Sequence, residues 1–91
     1  MVTVKQAQTV INKLNNIFDT HAFIVQFTRD FEREYVELLY KHKGNQHIFM
    51  SAHAEIGKFL ADNAKGLSIE KENNTNHINS KGQRLFHLLP L

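Results

Sequence analysis

The apolar residues change their spacing at Gly66, and that change ties a set of helices to a short sheet. Before Gly66 they recur every three to four residues, as one face of a helix requires. After it, "LSIEK" (67–71) alternates apolar and polar side chains, the period of a half-buried strand. "RLFHLL" (84–89) is a second apolar run, too short for a helix after Gly82, and Pro90 ends it. The two runs are expected to pair antiparallel around the Asn-rich stretch between them. A length of 91 residues allows one core, so residues 1–91 are read as a single α+β domain.

The helical part divides further. Val4, Ala7, Val10, Ile11, Leu14 and Ile17 share one face, and Thr3 with Gln6 forms a capping box. This spacing predicts a first helix that ends near Phe18, where Asn15, Asn16 and Asp19 weaken it. Asp19 or Thr20 can cap the next segment. There Phe23, Ile24, Phe27, Phe31, Tyr35, Leu38 and Leu39 trace one face up to "KHKGN", whose Gly44 suits a left-handed C′ position. Thr28 before Arg29–Asp30 could start a separate helix, giving 20–27 and 29–42. The unbroken apolar face favours one helix, straight or kinked. A third helix is expected over 48–64, burying Phe49, Ala52, Ile56, Phe59 and Leu60 and stopping at Lys65–Gly66. Gly57 costs helix stability and suggests close approach by a neighbouring helix.

The composition narrows the function. Six basic residues face five acidic ones in residues 1–46, and five face four in 47–91, for a net charge of +2. So slight an imbalance does not favour strong nonspecific binding to nucleic acid. The absence of cysteine excludes disulfides and thiolate metal sites. No apolar run is long enough to span a membrane, and "MVTVKQAQTV" lacks the pattern of a signal peptide. A cytoplasmic location is expected.

Three helices followed by a two-stranded antiparallel hairpin is the order of a winged helix-turn-helix domain. "HAEIGKFLADNAKGLSIEKENNTNHINSKGQRLFHLL" (53–89) resembles the back half of one. Within that group it is similar to the C-terminal DNA-binding domains of phage and plasmid primase-helicases. The matching residues are Ile56–Leu60 in the third helix and Gly82–Phe86 before the last strand. The resemblance implies a DNA-reading third helix and a wing between the strands, in a regulatory or replication-associated setting. A DNA-reading helix commonly carries several basic or amide side chains. This one offers Lys58 and Asn63, with Ser51 and His53, against Glu55 and Asp62.

The candidate DNA contacts are therefore Ser51, His53 and Lys58 on the third helix and Asn79, Lys81 and Arg84 in the wing. Short polar groups and cations bond phosphates and base edges, and a helix fits the major groove. The plainer readings are a solvated helix face and a solvated hairpin loop, because Asn, Ser and Gly dominate turns for conformational reasons. The projecting part, 73–81, is expected to be mobile in the absence of DNA.

No metal site is expected. The histidines at 21, 42, 47, 53, 77 and 87 include no pair at i,i+3 or i,i+4. "HAE" at His53–Glu55 matches the histidine–x–glutamate of zinc deaminases, which also need cysteines that this chain lacks. With no Gly-rich phosphate loop, nucleophile signature or conspicuous carboxylate pair, no catalysis, cofactor or small-molecule substrate is expected. Glu32, Glu34 and Glu37 with Arg29 and Arg33 read as a solvated face. The series Phe23, Phe27, Phe31, Tyr35 reads as core. If part of it is exposed, the alternative function is a protein-interaction module or homodimer built on that segment.

Overall fold

The computed structural model describes residues 2–71 and 85–89. Among them are α1 (Val4–Ile11), β1 (Ile17–Asp19), α2 (Thr20–Asp30), α3 (Glu32–Lys41), α4 (Ile48–Asp62), β2 (Ile69–Lys71) and β3 (Leu85–Leu88). The strands form one antiparallel sheet in the order β1-β3-β2. The class is α+β, with four helices and three strands among the described residues rather than three helices and two strands.

The start of α1 follows its capping box. The Gln6 N–H donates to Thr3 Oγ1, and the Thr3 N–H donates to Gln6 Oε1, each at 3.1 Å. The helix ends well before Phe18. Lys13 N–H bonds Val10 C=O at 3.0 Å and Leu14 N–H bonds Ile11 C=O at 2.9 Å, closing the helix with i→i+3 turns. Ile17 and Phe18 then belong to a strand, and their roles differ from the helical expectation. Ile17 is 57% exposed, whereas Phe18 is buried. Period-two geometry explains this, since neighbours in a strand face opposite sides.

β1 runs directly into α2. Asp19 ends the strand and caps the helix, its Oδ1 accepting the Ala22 N–H at 2.6 Å. The segment 20–42 is two helices, and it breaks at Phe31 (φ −134, ψ 56), not at Thr28. Thr28 does not cap a helix; its hydroxyl donates to Val25 C=O at 2.7 Å. The hydrogen bonds carry across the break: Phe31 N–H to Phe27 C=O at 2.8 Å, and Tyr35 N–H to Phe31 C=O at 3.0 Å. Phe23 and Phe27 are fully buried and Phe31 packs against them as partly buried core. The first two are thus not available as a dimer surface.

α3 ends in successive i→i+3 turns at His42 and Lys43. Gly44 does not take the left-handed conformation expected of it. α4 buries Ala52, Ile56 and Leu60 and partly buries Phe59, but Phe49 is 61% exposed, contrary to expectation. At Gly57 an added Cβ would lie 3.7 Å from Thr20 Cγ2, an ordinary contact, so no close helix approach demands glycine there. Beyond Asp62 tight turns lead to Ser68, which takes the left-handed φ of 56. Leu67 and Ile69 are buried on either side of it.

β2 pairs with β3 as the alternation implied: Ile69 opposite Leu88, Glu70 opposite His87 and Lys71 opposite Phe86. β3 also pairs with β1 on its other edge, Ile17 opposite His87 through Asp19 opposite Leu85. The last strand thus becomes the middle of the sheet. The expected wing tip at 73–81, with Lys81 and Arg84, and the stop at Pro90 lie outside the described residues. No helix among the described residues is long and apolar enough to cross a membrane.

Candidate functional site

α4 immediately precedes β2, and its core face is fixed by Ala52, Ile56 and Leu60. The opposite face therefore turns outward. Met50, Ala54, Lys58 and Ala61 are exposed there, and Ser51 is half-buried. Ser51 and Lys58 stand two turns apart on the same side, as their spacing of seven requires. Lys58 is the cation of this face, its side chain 79% exposed. Its Nζ lies 3.8 Å from Asp62 Oδ2, one turn along. A pair so exposed contributes little to stability and is readily broken.

His53 is not part of this face. It turns toward α3, where its Nε2 lies 2.7 Å from Tyr35 Oη. Burial, and next the charge of His21, hold its imidazole below the ordinary histidine range. Of the expected helix contacts, the fold keeps Ser51 and Lys58 together and removes His53. Asn79, Lys81 and Arg84 lie outside the described residues.

The acid groups of α4 are both engaged. Glu55 Oε1 accepts from Lys41 Nζ at 2.9 Å and from His42 Nε2 at 3.0 Å. Asn45 Nδ2 donates to His42 Nδ1 at 3.0 Å, which leaves Nε2 as the His42 donor toward Glu55. Burial pushes the Glu55 carboxyl up, but the bonds from Lys41 and His42 outweigh it and hold it below its ordinary value. This network joins the end of α3 to the middle of α4. Sequence spacing gave no signal for it, because the partners lie on different helices.

No protein-family model, curated protein or solved structure matches this chain.

Two shallow depressions flank α4. One, of about 330 Å³, is lined by Thr20, Ala54, Gly57, Lys58, Ala61 and Phe86. The other, of about 230 Å³, lies between Val2, Ile56 and Phe59 and is rimmed by the Lys41–Glu55 and Lys58–Asp62 pairs. Neither gathers the convergent polar groups of a reaction site. Among the described residues, no three His, Asp or Glu side chains stand together as metal ligands. What α4 offers is a surface with small side chains at its centre and a cation among them.

Proposed function

We propose that this chain is a non-catalytic winged-helix domain that binds duplex DNA through the outward face of α4 and the segment between β2 and β3. The observation that carries the reading is the strand order β1-β3-β2, with β1 between the first two helices and α4 directly before β2. A run of helices that closes in two antiparallel strands is the order the resemblance implies, and this chain adds a fourth helix and a third strand to it. Lys71 of β2 pairs with Phe86 of β3, and the sequence between the two strands carries Lys81 and Arg84. Lys58 supplies a third cation from α4. The small side chains Ala54 and Ala61 let the helix approach a groove closely, and Ser51 can donate to phosphate or base.

A second reading rests on a different observation. Phe49 and Met50 on the first turn of α4 are 61% and 69% exposed. Adjacent exposed apolar groups of this size favour contact with a protein partner or a second copy. Backbone amide shifts on titration with a generic duplex at low salt separate the two. The DNA reading requires shifts at Ser51, Ala54, Lys58 and Ala61 that Lys58→Ala weakens. Unmoved α4 amides, together with concentration-dependent shifts at Phe49 and Met50 without DNA, would replace it with the interaction reading.

A further inference from the structure

His53 is clasped between two helices and one ring of its own. Tyr35 on α3 meets its Nε2 at 2.7 Å, and the two rings stack with centroids 5.9 Å apart. Phe49, one turn back on α4, meets it edge-on at 6.1 Å. Tyr35 from α3 and His21 from α2 are the titratable groups that face it among the described residues. Glu55, two residues along α4, is held by Lys41 and His42.

The contact is built for two neutral rings. A neutral imidazole shares one proton with the Tyr35 hydroxyl in either tautomer. An imidazolium can still donate from Nε2 to the Tyr35 oxygen but can no longer accept from its hydroxyl, and it places a full charge in a half-buried setting beside His21. We propose that the Tyr35–His53 contact is a proton-operated latch between α3 and α4, shut while both rings are neutral and released when His53 takes up a proton.

The direction of the linkage is fixed by the environment. Burial, then the charge of His21, lowers the proton affinity of His53 from its ordinary value of 6.5. A base lowered in this way binds fewer protons folded than unfolded. Its contribution is whole above 6.5 and is lost as pH falls through the lower folded value. Burial raises Tyr35 above 10.0, so its contribution is whole below that value and is lost as pH rises through the higher folded one. The latch is thus shut around neutral pH and weakened from both sides. Since α4 is held by this packing, proton uptake alters how firmly its outward face is presented, whatever that face contacts.

Amide hydrogen exchange on the whole chain, corrected for the intrinsic rate, tests the latch at about pH 7.5 and about pH 5, alongside an NMR titration of the imidazole C–H signals. His53 should titrate below 6.5. Protection across α3 and the first half of α4 should fall in acid, by up to about tenfold for each pH unit of that lowering. The β1 and β3 amides should keep theirs. His53→Gln retains hydrogen-bonding capacity without a proton to gain, and should show no acid loss. His53 titrating at or above 6.5 would overturn the proposal. So would pH-independent protection of α3 and α4, or an acid loss in His53→Gln equal to that of the wild type. Should His53→Gln fail to fold, His21→Asn serves instead. It should move the His53 titration and the loss of protection upward together, and two quantities that do not move together would also defeat the latch.

Discussion

Phe18 stacks on Phe86 with ring centroids 5.7 Å apart and an interplanar angle of 23°. The two residues face each other across β1 and β3, so one contact closes the early part of the chain against its last strand. Both are buried. Truncating either ring leaves a cavity where the sheet meets the helices.

Phe86→Ala should therefore lose about 3–5 kcal/mol, the usual cost of removing a buried aromatic. Ile17→Ala, one residue from Phe18 but facing solvent, should change stability by less than about 0.5 kcal/mol. Urea unfolding followed by far-UV circular dichroism gives both values. Comparable losses at the two positions would mean that β1 does not alternate as described.

Gly57→Ala should stabilise the protein by about 0.5–1 kcal/mol, because alanine favours the helix interior and a Cβ meets Thr20 Cγ2 only at 3.7 Å. A raised thermal midpoint with an unchanged fold is the expected result. A loss would show that the contact with the start of α2 is tighter than this.

Ser68→Gly should also stabilise, by about 1 kcal/mol. Ser68 holds a left-handed φ of 56, which glycine adopts without a Cβ penalty. Ser68→Ala keeps the penalty and should bring no gain, and the difference between the two midpoints isolates the backbone effect.

Acid should cut into stability through Asp30. Its Oδ1 accepts from Lys13 Nζ at 2.9 Å and Gln26 Nε2 at 3.0 Å. The bond from Lys13 lowers its proton affinity most, burial opposes this, and Gln26 lowers it further. A carboxyl lowered on folding contributes fully above its ordinary 3.8 and loses that contribution as pH falls through the folded value. Urea midpoints at a series of pH values below about 5 should thus drop less steeply in Lys13→Met than in the wild type. Identical slopes would remove Lys13 from the explanation.

What the sequence revealed was what local signals carry. The Thr3–Gln6 box, the Asp19 cap, the body of α4 and the alternation around Ile69 are each written within a few neighbouring residues. β1 was not legible. Three residues cannot display a period, and Ile17 happens to continue the helical spacing of Ile11 and Leu14. Its strand pairing comes from β3 at the other end of the chain. The break at Phe31 was hidden because the apolar stripe runs through it. On α4 the sequence reading grouped Ser51, His53 and Lys58, and the structure has Ser51 and Lys58 two turns apart on one side with His53 turned toward α3. Spacing could not tell that α3 would draw in His53 through Tyr35, or that Phe49 would remain exposed.

The DNA reading stands or falls on salt. Affinity for a generic duplex, measured by fluorescence anisotropy across a range of salt concentrations, gives the number of phosphates engaged as the slope of log K against log salt. Three cations, Lys58, Lys81 and Arg84, should give a slope of roughly −2.7, at about −0.9 per phosphate, with nonspecific dissociation constants of roughly 10⁻⁴–10⁻⁶ M. The double variant Lys81→Ala, Arg84→Ala should keep the fold and retain a slope of only about −0.9. No binding at low salt, or a double variant whose affinity and slope equal those of the wild type, would contradict the account.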